Sequence, residues 1–260
     1  MDEPVLVERA GGVHTLTLNR PDKINALNEA VFEGLQAALS AAEGDRECRA
    51  ILLAGAGRGF CSGADLTGNA GLSDDLGAAL ERSYNPLVRR MRALPLPIVC
   101  AVHGVAAGAG FNLALACDIV VAGRGARLTQ AFVRIGLIPD AGGTWFLPRL
   151  AGDARARGLG MLGDEITGEQ AAAWGLIWAA VEDGHELAEG ERIAGQLAQR
   201  PTQAIALMKQ AFLAAPAATL DAQLDLERDL QRTAGRTPDF HEGVAAFREK
   251  RPARFIGRPA

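Results

Sequence analysis

The chain has 260 residues, 48% hydrophobic and 22% charged, which is enough apolar material to bury one large core and argues against a disordered chain. Its formal net charge of -4 and isoelectric point near 5.7 weigh against nucleic-acid binding as the main function. The acidic start Met1-Asp2-Glu3-Pro4 lacks the positive region and apolar run of a signal peptide, and no apolar stretch approaches the length of a membrane span, so a cytoplasmic protein without membrane contacts is expected.

In chain order, β-formers at Val5 to Glu8 and Val13 to Leu18 flank Gly11-Gly12 and predict a hairpin. Helical periodicity follows from Asn28, the expected N-cap, to Ala42, with Gly44 as a stop. Arg49 to Ala54 reads as a buried strand running into a first glycine segment, Gly57 to Leu66. The polar stretch Thr67 to Leu76 reads as a mobile loop, and a helix is predicted from Leu76 to Leu94, halted by Pro95 and Pro97. Ile98 to Val102 is a short apolar strand, a second glycine segment leads into a helix over Gly110 to Ala116, and Ile119 to Ala122 is another strand. This rhythm predicts a mixed α/β fold whose loops meet at strand ends. From about Gly168 strand signals nearly vanish and helices dominate, with breaks at Gly184, Pro201, Pro216 and Pro238. The expected division is an α/β core over 1–195 and an α-helical region over 196–260.

Familiar motifs are absent. After Gly55 and Gly57 the dinucleotide fingerprint would need glycine at Phe60, no phosphate-loop GxxxxGK[ST] occurs, and Phe60 stands two before Ser62 where a nucleophile elbow needs glycine. Cys48, Cys61, Cys100 and Cys117 have no CxxC spacing and read as buried free thiols; His14, His103, His185 and His241 have no metal-ligand spacing. No metal site is expected. His103 alone lies near a glycine segment, where it would orient the loop.

Asp140 differs from these. It is a lone carboxylate in the apolar, glycine-punctuated run Ile138-Pro139-Asp140-Ala141-Gly142-Gly143-Thr144, and is either a catalytic acid/base or a turn-forming residue after proline.

Three segments in this order and spacing resemble the enoyl-CoA hydratase/isomerase (crotonase) superfamily over essentially the whole chain. They are Gly63-Ala64-Asp65-Leu66, then Gly104 to Gly110 with Ala116-Cys117-Asp118-Ile119, and Gly136 to Thr144. The resemblance implies a crotonase-like spiral of ββα units with an α-helical C-terminal trimerisation region. It also implies a homotrimer, or a hexamer built as a dimer of trimers, and an acyl-CoA substrate whose coenzyme is part of the substrate, with no separate cofactor. The thioester carbonyl would accept the backbone N-H groups of Ala64 and Ala109, each such donor typically worth about 2.7–4 kcal/mol of barrier. Ala109 stands where many relatives have glycine.

Hydratases of the superfamily use two glutamates at positions held here by Asn112 and Phe132, so simple hydration is disfavoured and Asp140 remains, at the position of the isomerases' aspartate. Tyr84 to Arg90, Pro139 to Trp145, Leu220 to Arg228 and Glu242 to Phe247 narrow the resemblance to the isomerases of phenylacetate degradation, which implies conversion of a ring-1,2-epoxide thioester to an oxepin and migration of 3-enoyl double bonds to position 2. An apolar pocket with Phe111, Asn112, Phe132 and Ile138 would raise the Asp140 pKa. Coenzyme A is expected near Lys23, Asn25, Ala26 and Leu27 and along Ser62, Asp65 and Leu66, with Lys250 and Phe255 completing the site from a neighbouring subunit; Lys23 could equally be an exposed loop lysine. Two alternatives stay open: an aromatic acyl-CoA hydrolase or dehalogenase with Asp140 as nucleophile, and a non-catalytic CoA-binding scaffold.

Overall fold

Alternation along Val13–Leu18 buries His14, Leu16 and Leu18 and leaves the residues between them half-covered, the pattern of a strand with one face on the core. It pairs antiparallel with Val5–Ala10 through Gly11 and Gly12, both at positive φ (58° and 81°), as a two-residue hairpin turn requires. These are β1 and β2 of a computed structural model that describes residues 3–67 and 75–257. The expected mobile loop at 67–76 therefore lies mostly outside the described residues.

β3 (Ala50–Gly55), β4 (Ile98–Val102), β6 (Ile119–Gly123) and β9 (Ala179–Val181) continue the sheet in parallel, in the order β1-β2-β3-β4-β6-β9. β3 and β4 are almost wholly buried apolar runs, as central parallel strands covered on both faces must be. Ile51, Leu53, Ile98 and Cys100 join the larger core with α1 (Glu29–Gly44), whereas Ala50, Leu52, Val99 and Ala101 pack with Ile193 and Ala194 of α8 (Glu186–Ala198). A second, three-stranded sheet stacks β5 (Val105–Ala107) parallel to β7 (Arg127–Thr129), and β7 antiparallel to β8 (Glu165–Thr167). Asn28 caps α1 by accepting from the Val31 N-H, as expected.

The predicted helix from Leu76 to Leu94 is not one continuous α-helix. α2 (Leu76–Ala79) passes into a π-helical turn, Leu80–Tyr84, before α3 (Asn85–Ala93). Pro86 has no N-H to give and its ring crowds the carbonyl four residues back, so the backbone widens there. α4 (Ala109–Leu115) follows β5, and α5 (Gly143–Ala151), α6 (Asp153–Leu162) and α7 (Gly168–Ala173) follow the Asp140 loop. The expected boundary at 195/196 falls inside α8, which packs on the sheet. Beyond it come α9 (Thr202–Ala214), α10 (Leu220–Ala234) and α11 (Pro238–Glu249), with the breaks at the anticipated prolines.

These last helices are tied down by polar contacts. Lys209 of α9 donates to Asp118 Oδ2 at 2.6 Å and to the Leu96 carbonyl at 2.7 Å. Arg49 donates to Thr202 Oγ1 at 2.7 Å and to the Phe255 carbonyl, while Asp239 accepts from the N-H groups of Ile256 and Gly257. α10 buries none of its residues, and Phe212, Leu220, Phe240 and Phe247 of this region are exposed. No helix among the described residues is long and apolar enough to cross a membrane. The four cysteines are buried free thiols. His14 is buried in β2 with Asp45 Oδ2 2.9 Å from its Nε2.

Candidate active site

The first glycine segment is knitted to the Lys23 to Leu27 turn by main-chain bonds, Ser62 N-H to Ile24 O, Leu27 N-H to Gly63 O and Asp65 N-H to Leu27 O. It is also bridged to β5 through Cys61 and Ala106. Gly63 (φ 93°) is forced: a β-carbon there would stand 2.8 Å from the Ala107 carbonyl oxygen and 3.6 Å from the Ala109 nitrogen. The Ala64 and Ala109 segments therefore lie side by side. The parallel bridge between Leu27 and Ala64 uses the N-H groups of Leu27 and Asp65 and leaves that of Ala64 out, and the Ala109 N-H opens α4, where no helical acceptor exists. Neither N-H has an acceptor among the described residues. His103 donates from Nε2 to the Gly57 carbonyl at 2.9 Å, the loop-orienting role expected of it.

Asp140 reaches the same corner by a different route. Its carbonyl accepts from Asn112 Nδ2 and from the Gly143 N-H, each at 2.8 Å. Asn112 lies three residues beyond Ala109 in α4, so its side chain ties the Asp140 main chain to the first turn of that helix. The carboxyl is half-buried, and its Oδ1 is sealed without a donor among the described residues. Burial raises its pKa to about 6, opposed only by its own backbone N-H. Phe132 contributes an apolar wall: its ring lies 3.5 Å from where a Gly108 β-carbon would stand.

Several anticipated pocket and coenzyme residues are spent elsewhere. Asn112 is fully buried and its amide is consumed by Asp140 and Gln130, so it does not face a pocket. Phe111 is closed into the core at 1% exposure, and Ile138 stands at 79% exposure. The fully buried Asn25 amide donates to the carbonyls of Ala56, Gly59 and Phe60, and Ser62 Oγ donates to the Lys23 carbonyl. Asp65 accepts from Thr67 and from Arg20, which hold its pKa down to about 2. These polar side chains brace the loop, because a turn that leaves the regular ladder must satisfy its carbonyls locally. Ala26 and Leu27 are buried; Lys23, Leu66 and Lys250 are exposed. Phe255 is pinned by Arg49, one residue before β3, and the first glycine segment follows the other end of that strand, about 20 Å away at 3.3 Å per residue. It does not join this chain's own site.

Gln130 and Tyr84 were not singled out as site residues from the sequence. Gln130 carried only a weak signal, a polar residue after an apolar strand. Tyr84 ends the π-helical turn, packs edge-on against Phe32 at 4.4 Å, and has its pKa raised by burial and then by the charges of Asp140, Cys61 and Asp65.

Two unclaimed N-H groups in neighbouring glycine loops and a single half-buried carboxyl tied to α4 make up the candidate site. The enoyl-CoA hydratase/isomerase family model covers residues 8–258. The chain belongs to this family. It is 51% identical over 262 residues to the 1,2-epoxyphenylacetyl-CoA isomerase of Escherichia coli K12, covering 99% of this chain and 100% of that one. It is 37% identical to the 2,3-dehydroadipyl-CoA hydratase of the same organism over 98% of this chain and 99% of that one. Among solved structures, an enoyl-CoA hydratase from Bacillus anthracis superposes with a TM-score of 0.93 at 32% identity, covering 98% and 100% of the two chains. One from Polaromonas sp. JS666 gives 0.92 at 35%, covering 96% and 99%. The crotonase fold is thus established for this α/β chain.

Proposed function

We propose that this family member is an acyl-CoA isomerase that moves a double bond with one carboxylate. The observation that carries the reading is the solitude of Asp140: a carboxyl with pKa near 6, no side-chain partner among the described residues, and Asn112 and Phe132 where a second acid would have to stand. A thioester carbonyl held by the Ala64 and Ala109 N-H groups would carry the enolate charge, which acidifies the carbon between it and a 3,4 double bond. Asp140 takes that proton and returns it two carbons along, giving the conjugated 2-enoyl thioester. No second acid is needed, and water has no group to activate it. The substrate supplies the coenzyme, so no separate cofactor enters.

The 51% identity to an epoxyphenylacetyl-CoA isomerase supports an aromatic ring-epoxide thioester as substrate. Opening of that epoxide to the seven-membered oxepin, with a proton moved from the side chain to the ring, uses the same base and the same two donors. The exposed apolar side chains of α9 to α11 support a trimer, or a dimer of trimers, in which Lys250 and Phe255 serve a neighbour's coenzyme site.

The test is isomerisation of a 3-enoyl-CoA in deuterated water by wild type and Asp140→Asn, following 2-enoyl product and label position. Rapid conversion with label at the γ-carbon and no hydrated product, lost in the variant, supports the reading. Hydrated product would return the chain to the hydratases, and a covalent acyl or aryl adduct on Asp140 would make it a nucleophile.

A further inference from the structure

A carboxylate with no side-chain partner can be aimed only by its own backbone, and the backbone of Asp140 is held from one side by a buried amide. Asn112 Nδ2 donates to the Asp140 carbonyl at 2.8 Å and to Gln130 Oε1 at 3.3 Å, while Asn112 Oδ1 accepts from Gln130 Nε2 at 2.8 Å. Both residues are at 0% exposure. The reciprocal pairing fixes which end of Asn112 faces Asp140, because the flipped amide would set oxygen against the Asp140 carbonyl and N-H against N-H toward Gln130. A carboxylate at position 112 would likewise meet two acceptors.

The turn so held is one the chain would not adopt freely. Ala141 has φ 46°, in the left-handed region that costs a residue with a β-carbon roughly 1–2 kcal/mol. Gly143 is packed so closely that a β-carbon would stand 2.9 Å from Asn112 Oδ1. Between them, the Asn112 and Gly143 bonds fill both lone pairs of the Asp140 carbonyl.

We propose that Asn112 and Gln130 are a positioning pair that aims the Asp140 carboxyl into the site by clamping its main chain, so that the amide at 112 sets catalysis without touching substrate. This rests on the reading of Asp140 as the proton carrier.

The test compares wild type, Asn112→Leu and Gln130→Met, with Asp140→Asn to assign the resonance. It reads kcat and KM for 3-enoyl-CoA isomerisation, and the titration of the Asp140 carboxyl by carbon NMR of aspartate-labelled protein, which needs no substrate. Asn112→Leu is expected to lower kcat by about 10- to 100-fold with KM within about threefold, the scale at which an ångström of misplacement acts. Its Asp140 should titrate below the wild-type value, because a loosened turn lets the carboxylate reach water. Tyr84 is the titratable group coupled to Asp140 among the described residues; held above its ordinary value, it stays neutral in that range and leaves the titration to Asp140. Gln130→Met, which spares the bond to Asp140 but frees the amide, should move both readouts less and in the same direction, and it decides the matter should Asn112→Leu fail to fold. Wild-type kcat and wild-type titration in a variant that merely melts earlier would overturn the proposal. If wild type failed to isomerise, the functional reading would fall while the titration still judged the pair.

Discussion

Asp65 and Asp140 sit in two glycine loops, both near enough to Tyr84 to raise its pKa, and their surroundings push them in opposite directions. Asp65 accepts from Thr67 Oγ1 at 2.6 Å and Arg20 at 2.7 Å and is held down to about 2. Asp140 has a sealed oxygen with no donor among the described residues and is pushed up to about 6. A saturated carboxylate stabilises a loop but has no affinity left for a proton; an unsatisfied one weakens its loop and is ready to carry one. The two carboxylates divide structural and chemical work.

The sharpest way to break this comparison is to neutralise each carboxylate in turn. Asp140→Asn should cost at least about two orders of magnitude in kcat for double-bond migration while leaving thioester affinity near wild type. Asp65→Asn should stay within about threefold of wild type per folded molecule, measured by steady-state kinetics beside a folded-fraction assay. Equal losses would mean that the two carboxylates share the chemistry.

Next in size is the pH dependence. With an ionised Asp140 as the base, kcat should fall about tenfold per pH unit below about 6 and be level above it. An acid limb near the ordinary aspartate value would show that substrate or solvent reaches Asp140 more freely than its burial implies.

Stability should respond with opposite signs. Asp140 binds its proton more tightly folded than unfolded, so it costs stability above about pH 6, and the cost disappears as pH falls below the usual 3.8. The shift of roughly two units caps the effect at about 3 kcal/mol, and partial exposure brings it to about 1–2 kcal/mol. Asp140→Asn should therefore be more stable than wild type at pH 8, and the gap should close near pH 4 in denaturant titrations. For Asp65 the folded pKa is depressed, so its contribution is present at neutral pH and is lost as pH falls toward 2. Asp65→Asn should cost about 1–3 kcal/mol at pH 7, because Arg20 loses its charged partner.

How far the sequence carried follows the same division. Hairpin, α1 and the central strands were readable because period and glycine placement act locally, and Asp140 stood out as a carboxylate in an apolar run. The glutamate-to-amide change at Asn112 was visible, but its meaning was not. Whether that amide faces a pocket or an interior carbonyl depends on Gln130, eighteen residues away and brought alongside only when α4 folds against the Asp140 loop. Asn25 and Asp65 were expected beside the coenzyme, but the partners of their side chains, loop carbonyls and Arg20, are set by contacts distant in sequence. The π turn at Leu80–Tyr84 escaped because the helix predicted from Leu76 to Leu94 was carried straight through Pro86, whose effect is felt upstream.

The smallest predicted effect tests whether the Asp140 loop stores strain. Ala141→Gly should recover the roughly 1–2 kcal/mol of left-handed penalty. Against that, a freer unfolded chain costs about 0.4–1 kcal/mol and loss of a buried methyl about 0.8 kcal/mol. The net change in unfolding free energy should stay below about 1 kcal/mol. A gain well beyond that would mean that the Asn112 clamp holds Ala141 against more strain than its φ implies. In the Asp65 loop the left-handed position is already glycine, at Gly63, where an alanine would strike the Ala107 carbonyl; Gly63→Ala should therefore be clearly destabilising. Opposite responses to the same alanine–glycine exchange would place tolerated strain only in the loop that carries the proton.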